Sequence, residues 1–187
     1  MSDRFVFGQA PLSGVWIAQR NVFQDTRGVF ERLFCAEEFR KIGLTKPVVQ
    51  INHSITPAKG TVRGLHFQHP PHAETKIITC LKGEVFDVAV DLRQGSKTFL
   101  TWYGQRLSAE NQKSIIIPEG CAHGFQTLTD HCELVYFHTA FYVPEAEAGF
   151  NVGDKRIGIN WPLPINDLSP RDKSQAFVSE SYSGIIL

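Results

Sequence analysis

The chain has 187 residues, of which 42% are apolar and 20% charged, and its 19 basic and 19 acidic side chains cancel. That length holds one domain with a sizeable core, and the balanced charge excludes a broad nucleic-acid or membrane-surface footprint while leaving room for a local anion pocket of a few arginines. Cys35, Cys80, Cys121 and Cys132 form no CxxC pair, the start has no signal-peptide pattern and no run approaches the roughly 20 apolar residues of a membrane helix, so a cytoplasmic protein is expected.

In chain order, FVFG and GVWIAQ give residues 1–24 strand character, which suits pairing with a partner's sheet. CAEEFRKIG (35–43) reads as a helix, with Phe39 and Ile42 on one side and a glycine stop. From 48 to 143 almost everything reads as short strands broken by turn residues: VVQINHSI, TVRGLHFQ, KIITCL, EVFDVAVDL, TFLTWYGQRL, KSIIIP, GFQTLT and ELVYFHTAFYV. Lys82-Gly83 reads as a hairpin turn, and 165–187 as a closing segment of a single domain spanning 1–187. Many strands at this spacing indicate an all-β sandwich or barrel with a few short helices.

Alternation within the strands matters more than their number. In EVFDVAVDL, Phe86, Val88 and Val90 point to one face and Asp87 and Asp91 to the other. His66 and Gln68 share one side of TVRGLHFQ, and Tyr136 and His138 share one side of ELVYFHTA. A small β-structure lined by aspartate, histidine, glutamine and tyrosine encloses a pocket rather than a filled core. Asp87 and Asp91 either line that pocket or satisfy buried hydrogen bonds.

His66 has three conceivable uses: metal ligand, proton carrier or core filler. PEGCAH (118–123) matches PxGxxH, the second short motif of the cupin barrels, in which the histidine faces the interior. A cupin metal site also needs an HxH pair, and here that position reads His66-Phe67-Gln68. His69 and His72 sit in a proline-rich turn, and His69 does not keep the i, i+2 spacing that puts two side chains on one strand face. A metal would depend on His66, Glu74 and His123, so acid/base use is preferred to a metal and to a structural histidine.

RGLHFQ, GEVFDVAVDLR, LSAEN, PEGCAHGF, GINWPL and LSPRD together resemble the dTDP-4-dehydrorhamnose 3,5-epimerases, from about residue 20 to residue 175. The resemblance implies a cupin-type jelly roll, a strand-exchanged homodimer, no metal or other cofactor, and a nucleotide-linked 4-keto-6-deoxyhexose as substrate. The pathway it implies is deoxysugar synthesis for surface polysaccharide such as O-antigen. A ketone at carbon 4 acidifies the hydrogens on carbons 3 and 5, so a base on one face and an acid on the other invert the centre.

By the resemblance, His66 is the base, suited by an ordinary pKa of about 6.5. Asp172 of LSPRD is its orienting partner, Tyr136 the acid and Lys76 the charge that stabilises the keto oxygen. Such positioned proton transfer is worth roughly 10²–10⁴-fold. Arg27 and Arg63 match diphosphate contacts, where guanidinium forks suit phosphate oxygens. Gln50, Asn52, Gln68 and His123 match polar substrate contacts, Arg171 a basic residue near the nucleotide, and Tyr142 a stacking partner for the base. Asp87 is expected beside the catalytic histidine. Each contact has a bland alternative: Arg27 and Arg171 as surface charges, Asn52 as a turn residue and Tyr142 as sheet packing, with function preferred for the arginines.

Two positions depart from the family pattern. RGVFERLF puts Arg32 where many members carry a glutamate, reversing charge beside the nucleotide pocket. Tyr136-Phe137-His138-Thr139 replaces the common YKTT or YKAT. Both departures fit a relative that acts at one carbon or on a CDP-linked donor.

Overall fold

The computed structural model describes residues 3–187; Met1 and Ser2, where the expected N-terminal strand segment begins, lie outside the described residues. The strands are β1 (Phe5–Gln9), β2 (Trp16–Arg20), β3 (Phe23–Asp25), β4 (Gly28–Phe30), β5 (Gln50–Thr56), β6 (Val62–Gln68) and β7 (Lys76–Lys82). They continue as β8 (Glu84–Asp91), β9 (Trp102–Ser108), β10 (Lys113–Ile117), β11 (Cys121–Thr127), β12 (Cys132–His138) and β13 (Glu147–Gly149). One sheet runs β1-β2-β10-β7-β12-β5, the other β13-β6-β11-β8-β9, and β3-β4 is a separate small hairpin. The sheets pack as a jelly-roll sandwich and do not close into a barrel. Within this chain β1 pairs with β2, and β2 with β10.

Successive strands from β5 to β8 alternate between the two sheets. Lys82-Gly83 is therefore not the hairpin turn expected from the sequence. β7 pairs with β10 and β12, and β8 with β11 and β9, so the dipeptide carries the chain from one sheet to the other. Turn chemistry reverses the chain at Gly83 but does not choose the hydrogen-bonded neighbour.

Period-two alternation builds three apolar layers. Val85, Ala89, Leu107, Ile78, Ile115 and Leu134 meet between the sheets. Val62, Leu65, Val88 and Val90 face outward from the five-stranded sheet and are covered by Phe150, Val152, Ile157 and Val178 of the C-terminal segment. Phe5, Ile77, Ile116 and Phe137 face outward from the other sheet. The expected helix over 35–43 covers that third layer in two pieces, α1 (Ala36–Phe39) and a 3-10 turn (Arg40–Ile42), ended by Gly43 at φ +86°. Phe39 is fully buried there, edge-on to Phe5 and Phe7. Among the described residues no helix is long and apolar enough to cross a membrane.

Candidate active site

One end of the sandwich is not filled by apolar side chains. It holds a cavity of about 320 Å³ lined from both sheets, large enough for a small ligand. Arg63, His66 and Gln68 enter it from β6 and His123 from β11; Gln50, Asn52 and Ser54 enter from β5, Lys76 from β7, and Tyr136 and His138 from β12. The shared faces expected for His66 with Gln68, and for Tyr136 with His138, are thus the cavity-facing ones.

Arg63 and His66 are three residues apart, a spacing that an undisturbed strand sends to opposite faces. A bulge brings them together: His66 opposes His123 and Arg63 opposes Phe125, so two residues of β6 face one of β11. Gly64 takes φ +138° at this point, and a Cβ there would stand 2.6 Å from the Gly124 Cα. Only glycine fits that approach.

His66 Nε2 lies 2.6 Å from Asp172 Oδ1. Asp172 is held by local chemistry at the start of α2 (Pro170–Lys173), where Ser169 Oγ accepts from the Asp172 N–H and Pro170 occupies the first helical position. Burial opposes the Asp172 charge, but the bonds from His66 and from the Gly64 N–H, at 3.3 Å, hold its pKa below the usual carboxylate value. An ionised carboxylate only accepts, so Nε2 carries the imidazole proton and Nδ1 is the basic nitrogen.

Tyr136 approaches from the opposite sheet. Its hydroxyl is 3.0 Å from Ser54 Oγ, and burial pushes its pKa well above 10. It is therefore a protonated donor at any physiological pH. Lys76 Nζ reaches the His66 carbonyl oxygen at 3.5 Å and Glu74 Oε1 at 3.3 Å. The site thus sets a base, a phenolic acid and an ammonium around one cavity, the set that proton abstraction beside a carbonyl needs.

Asp87 does not neighbour His66. It faces the space between the sheets, fully buried, with Oδ2 2.9 Å from His123 Nε2 and Oδ1 without a partner. Burial raises its pKa against the attraction of His123. The register explains the difference, since β8 pairs with β11, which carries His123, and not with β6. Asp91 does not line the cavity either, being bonded by Arg93, Ser96 and Thr98.

The three residues a metal reading requires are committed to separate partners: His66 to Asp172, His123 to Asp87, and Glu74 to His138 and Lys76. Among the described residues no three His, Cys, Asp or Glu side chains converge as a ligand set. His69 packs edge-on to Phe67 instead.

The model of the family described as dTDP-4-dehydrorhamnose 3,5-epimerase matches residues 9–180. The chain belongs to this family. It is 45% identical to the dTDP-4-dehydrorhamnose 3,5-epimerase of Shigella flexneri, over 90% of this chain and 93% of that protein. It is 36% identical to the dTDP-4-dehydrorhamnose 3-epimerase of Streptomyces niveus, over 94% of this chain and 85% of that one. Among solved structures it superposes on a dTDP-6-deoxy-D-glucose-3,5-epimerase of Legionella pneumophila, in complex with dTDP-4-keto-L-rhamnose, with a TM-score of 0.88. Identity there is 37%, and 92% of each chain is covered.

Not every position matched to the epimerase family reaches the cavity within one chain. Arg27 sits on the exposed β3-β4 hairpin, its side chain 88% accessible and paired with Asp25. Arg32, on the outer surface, pairs with Glu38. Gln68 lines the cavity, but its amide is spent on the backbone of His72, Phe141 and Val143. Gln50 accepts from the Tyr142 N–H and donates to Asn52. Tyr142 and Arg171 meet at the rim through Glu147, each 2.6 Å from its Oε2.

Sequence reasoning missed Ser54, Glu147 and the pairing of Glu74 with His138. Ser54 follows Asn52 by two residues on β5, so alternation contains the signal. Glu147 precedes Gly149 in a three-residue strand too short for any periodicity.

Proposed function

We propose that this protein is a metal-independent epimerase of a dTDP-linked 4-keto-6-deoxyhexose, inverting carbon 3 and carbon 5 by proton abstraction and return. The observation that carries the reading is the entry of His66 and Tyr136 into one cavity from different sheets, each backed by its own partner. His66 Nδ1 takes the proton from the carbon beside the ketone, with Asp172 fixing the ring and stabilising the imidazolium. Lys76 meets the charge that develops on the keto oxygen, so this step needs no Lewis acid. Tyr136 returns a proton to the opposite face.

Arg63 serves the diphosphate, and His123, Gln50 and Asn52 serve the sugar end. Tyr142 and Arg171 serve the nucleotide at the rim. A homodimer belongs to the same proposal, supported by exposed Phe23, Val29 and Phe30 on the hairpin and by Ile51 and Ile55 on the edge strand β5. Arg27, on that hairpin, joins a diphosphate site only from a partner copy. A reducing cytoplasmic setting fits four unpaired cysteines, three of them buried.

Inversion of carbon 3 alone is the second reading, favoured by the 3-epimerase relative from Streptomyces niveus. Proton NMR in heavy water with dTDP- and CDP-linked 4-keto-6-deoxyglucose tests these readings together. Deuterium entering carbons 3 and 5 of the dTDP sugar supports the first, and entry at carbon 3 alone the second. Preference for the CDP sugar overturns the donor assignment, and no exchange with either sugar overturns the function.

A further inference from the structure

Two titratable side chains beside Tyr136 take no part in the proton transfers above. Glu74 lies just before β7, and His138 ends β12, 64 residues later. His138 Nδ1 is 2.7 Å from Glu74 Oε2, and its Nε2 is 3.3 Å from Asn52 Nδ2. An amide nitrogen only donates, which puts the ring proton on Nδ1, facing the carboxylate. The imidazole stacks on Tyr136 at 6.2 Å between ring centres and 24° between planes. The other Glu74 oxygen is 3.3 Å from Lys76 Nζ. One carboxylate is thereby shared between an imidazole and the ammonium assigned to the keto oxygen.

A carboxylate there is a hazard to catalysis. Opposite charges in a shielded site attract strongly, and a Glu74 fully paired with Lys76 cancels the charge an enolate requires. Burial opposes the Glu74 charge, but the His138 bond and the Lys76 charge outweigh it and keep its pKa lowered. The group is thus ionised, and its position decides how much of the Lys76 charge reaches the cavity. That position is nearer His138, at 2.7 Å, than Lys76, at 3.3 Å.

We propose that His138 is a positioning residue for the epimerase reaction, drawing Glu74 toward itself so that the Glu74–Lys76 pair stays loose and the ammonium keeps charge for the enolate oxygen. The proposal rests on the reading of the cavity as a keto-sugar site. His138 acts through Glu74 on charge that exists only in the transition state, so its loss lowers kcat by far more than it raises KM, the KM change coming only from the Asn52 amide it also holds.

The test is steady-state epimerisation of dTDP-4-keto-6-deoxyglucose by the full chain, with deuterium exchange and thermal unfolding followed for each variant. His138→Ala should lower kcat by on the order of 10- to 100-fold, and His138→Ala with Glu74→Gln should recover it to within about threefold of the wild type, because a neutral amide cannot quench Lys76. His138→Asn, which keeps a donor near the Nδ1 position, should retain more activity than the alanine variant and covers the case in which that variant misfolds. A double variant no faster than His138→Ala, or a loss carried by KM, overturns the proposal while leaving the epimerase reading intact. No deuterium exchange in the wild type overturns both.

Discussion

His66 Nε2 and Asp172 Oδ1 stand 2.6 Å apart, joining β6 to a helical turn 106 residues further along the chain. Asp172 also accepts from the Gly64 N–H, so one carboxylate fixes both the ring and the bulge that aims it. Asp172→Asn keeps the shape but removes the charge that selects the tautomer and stabilises the imidazolium. Its kcat should fall by roughly 10²–10⁴-fold with little change in KM. Activity within twofold of the wild type across pH 6–9 would remove Asp172 from the mechanism.

In the proposed mechanism Tyr136 and His66 have separable duties, because abstraction and return would occur on opposite faces of the sugar. Tyr136→Phe leaves the base, its carboxylate partner and Lys76 untouched. Deuterium should still enter the substrate from the His66 side with its configuration retained, while inversion falls by about 10²-fold or more. NMR in heavy water distinguishes retained from inverted deuterated sugar. Equal loss of exchange and inversion would mean that the tyrosine does not act solely at reprotonation.

Much of the site was legible because strand alternation is short-range. The spacing of His66 with Gln68, and of Tyr136 with His138, follows from the pleat, whereas the Ser169 cap that holds Asp172 was visible only in the structure. Other features depend on distant pairing that no local pattern encodes. Arg63 and His66 share a face only because Gly64 meets Gly124 across a bulge. Asp87 turned out to serve His123 because β11 lies between β8 and β6. Lys82-Gly83 shows the same limit, since its residues encode a reversal but not which sheet the chain enters next.

Away from the cavity, Asp91 links folding to pH. It accepts from Arg93 Nε and Nη2, Ser96 Oγ and Thr98 Oγ1. Burial works against its charge, but these donors prevail and bring its pKa from 3.8 down to about 2. The folded value lies below the unfolded one, so this contribution is complete above about pH 4 and disappears as the pH falls through about 2. A shift of this size is worth about 2 kcal/mol. Urea unfolding from pH 6 to pH 2 should therefore find Asp91→Asn less stable at pH 6, with a shallower loss than the wild type below about pH 4. Parallel pH profiles for the two proteins would contradict the assignment.

Gly64 is where stability and chemistry meet most directly. A Cβ at this position would lie 2.6 Å from the Gly124 Cα and 3.1 Å from the His123 carbonyl oxygen. Both are backbone atoms, so no change of rotamer relieves the contact, and φ +138° strains any L side chain. Such strain costs about 1–3 kcal/mol, and for a chain of this size each kcal/mol lowers the melting temperature by about 2–4 °C. Gly64→Ala should therefore melt roughly 2–12 °C lower. It should also lose activity at temperatures where it is fully folded, since relief of the clash moves the Gly64 N–H from Asp172 and turns Arg63 or His66 out of the cavity. Calorimetry together with deuterium exchange measured well below the melting point separates these effects. A variant that melts lower but exchanges at the wild-type rate would show that the bulge supports the fold without aiming the base.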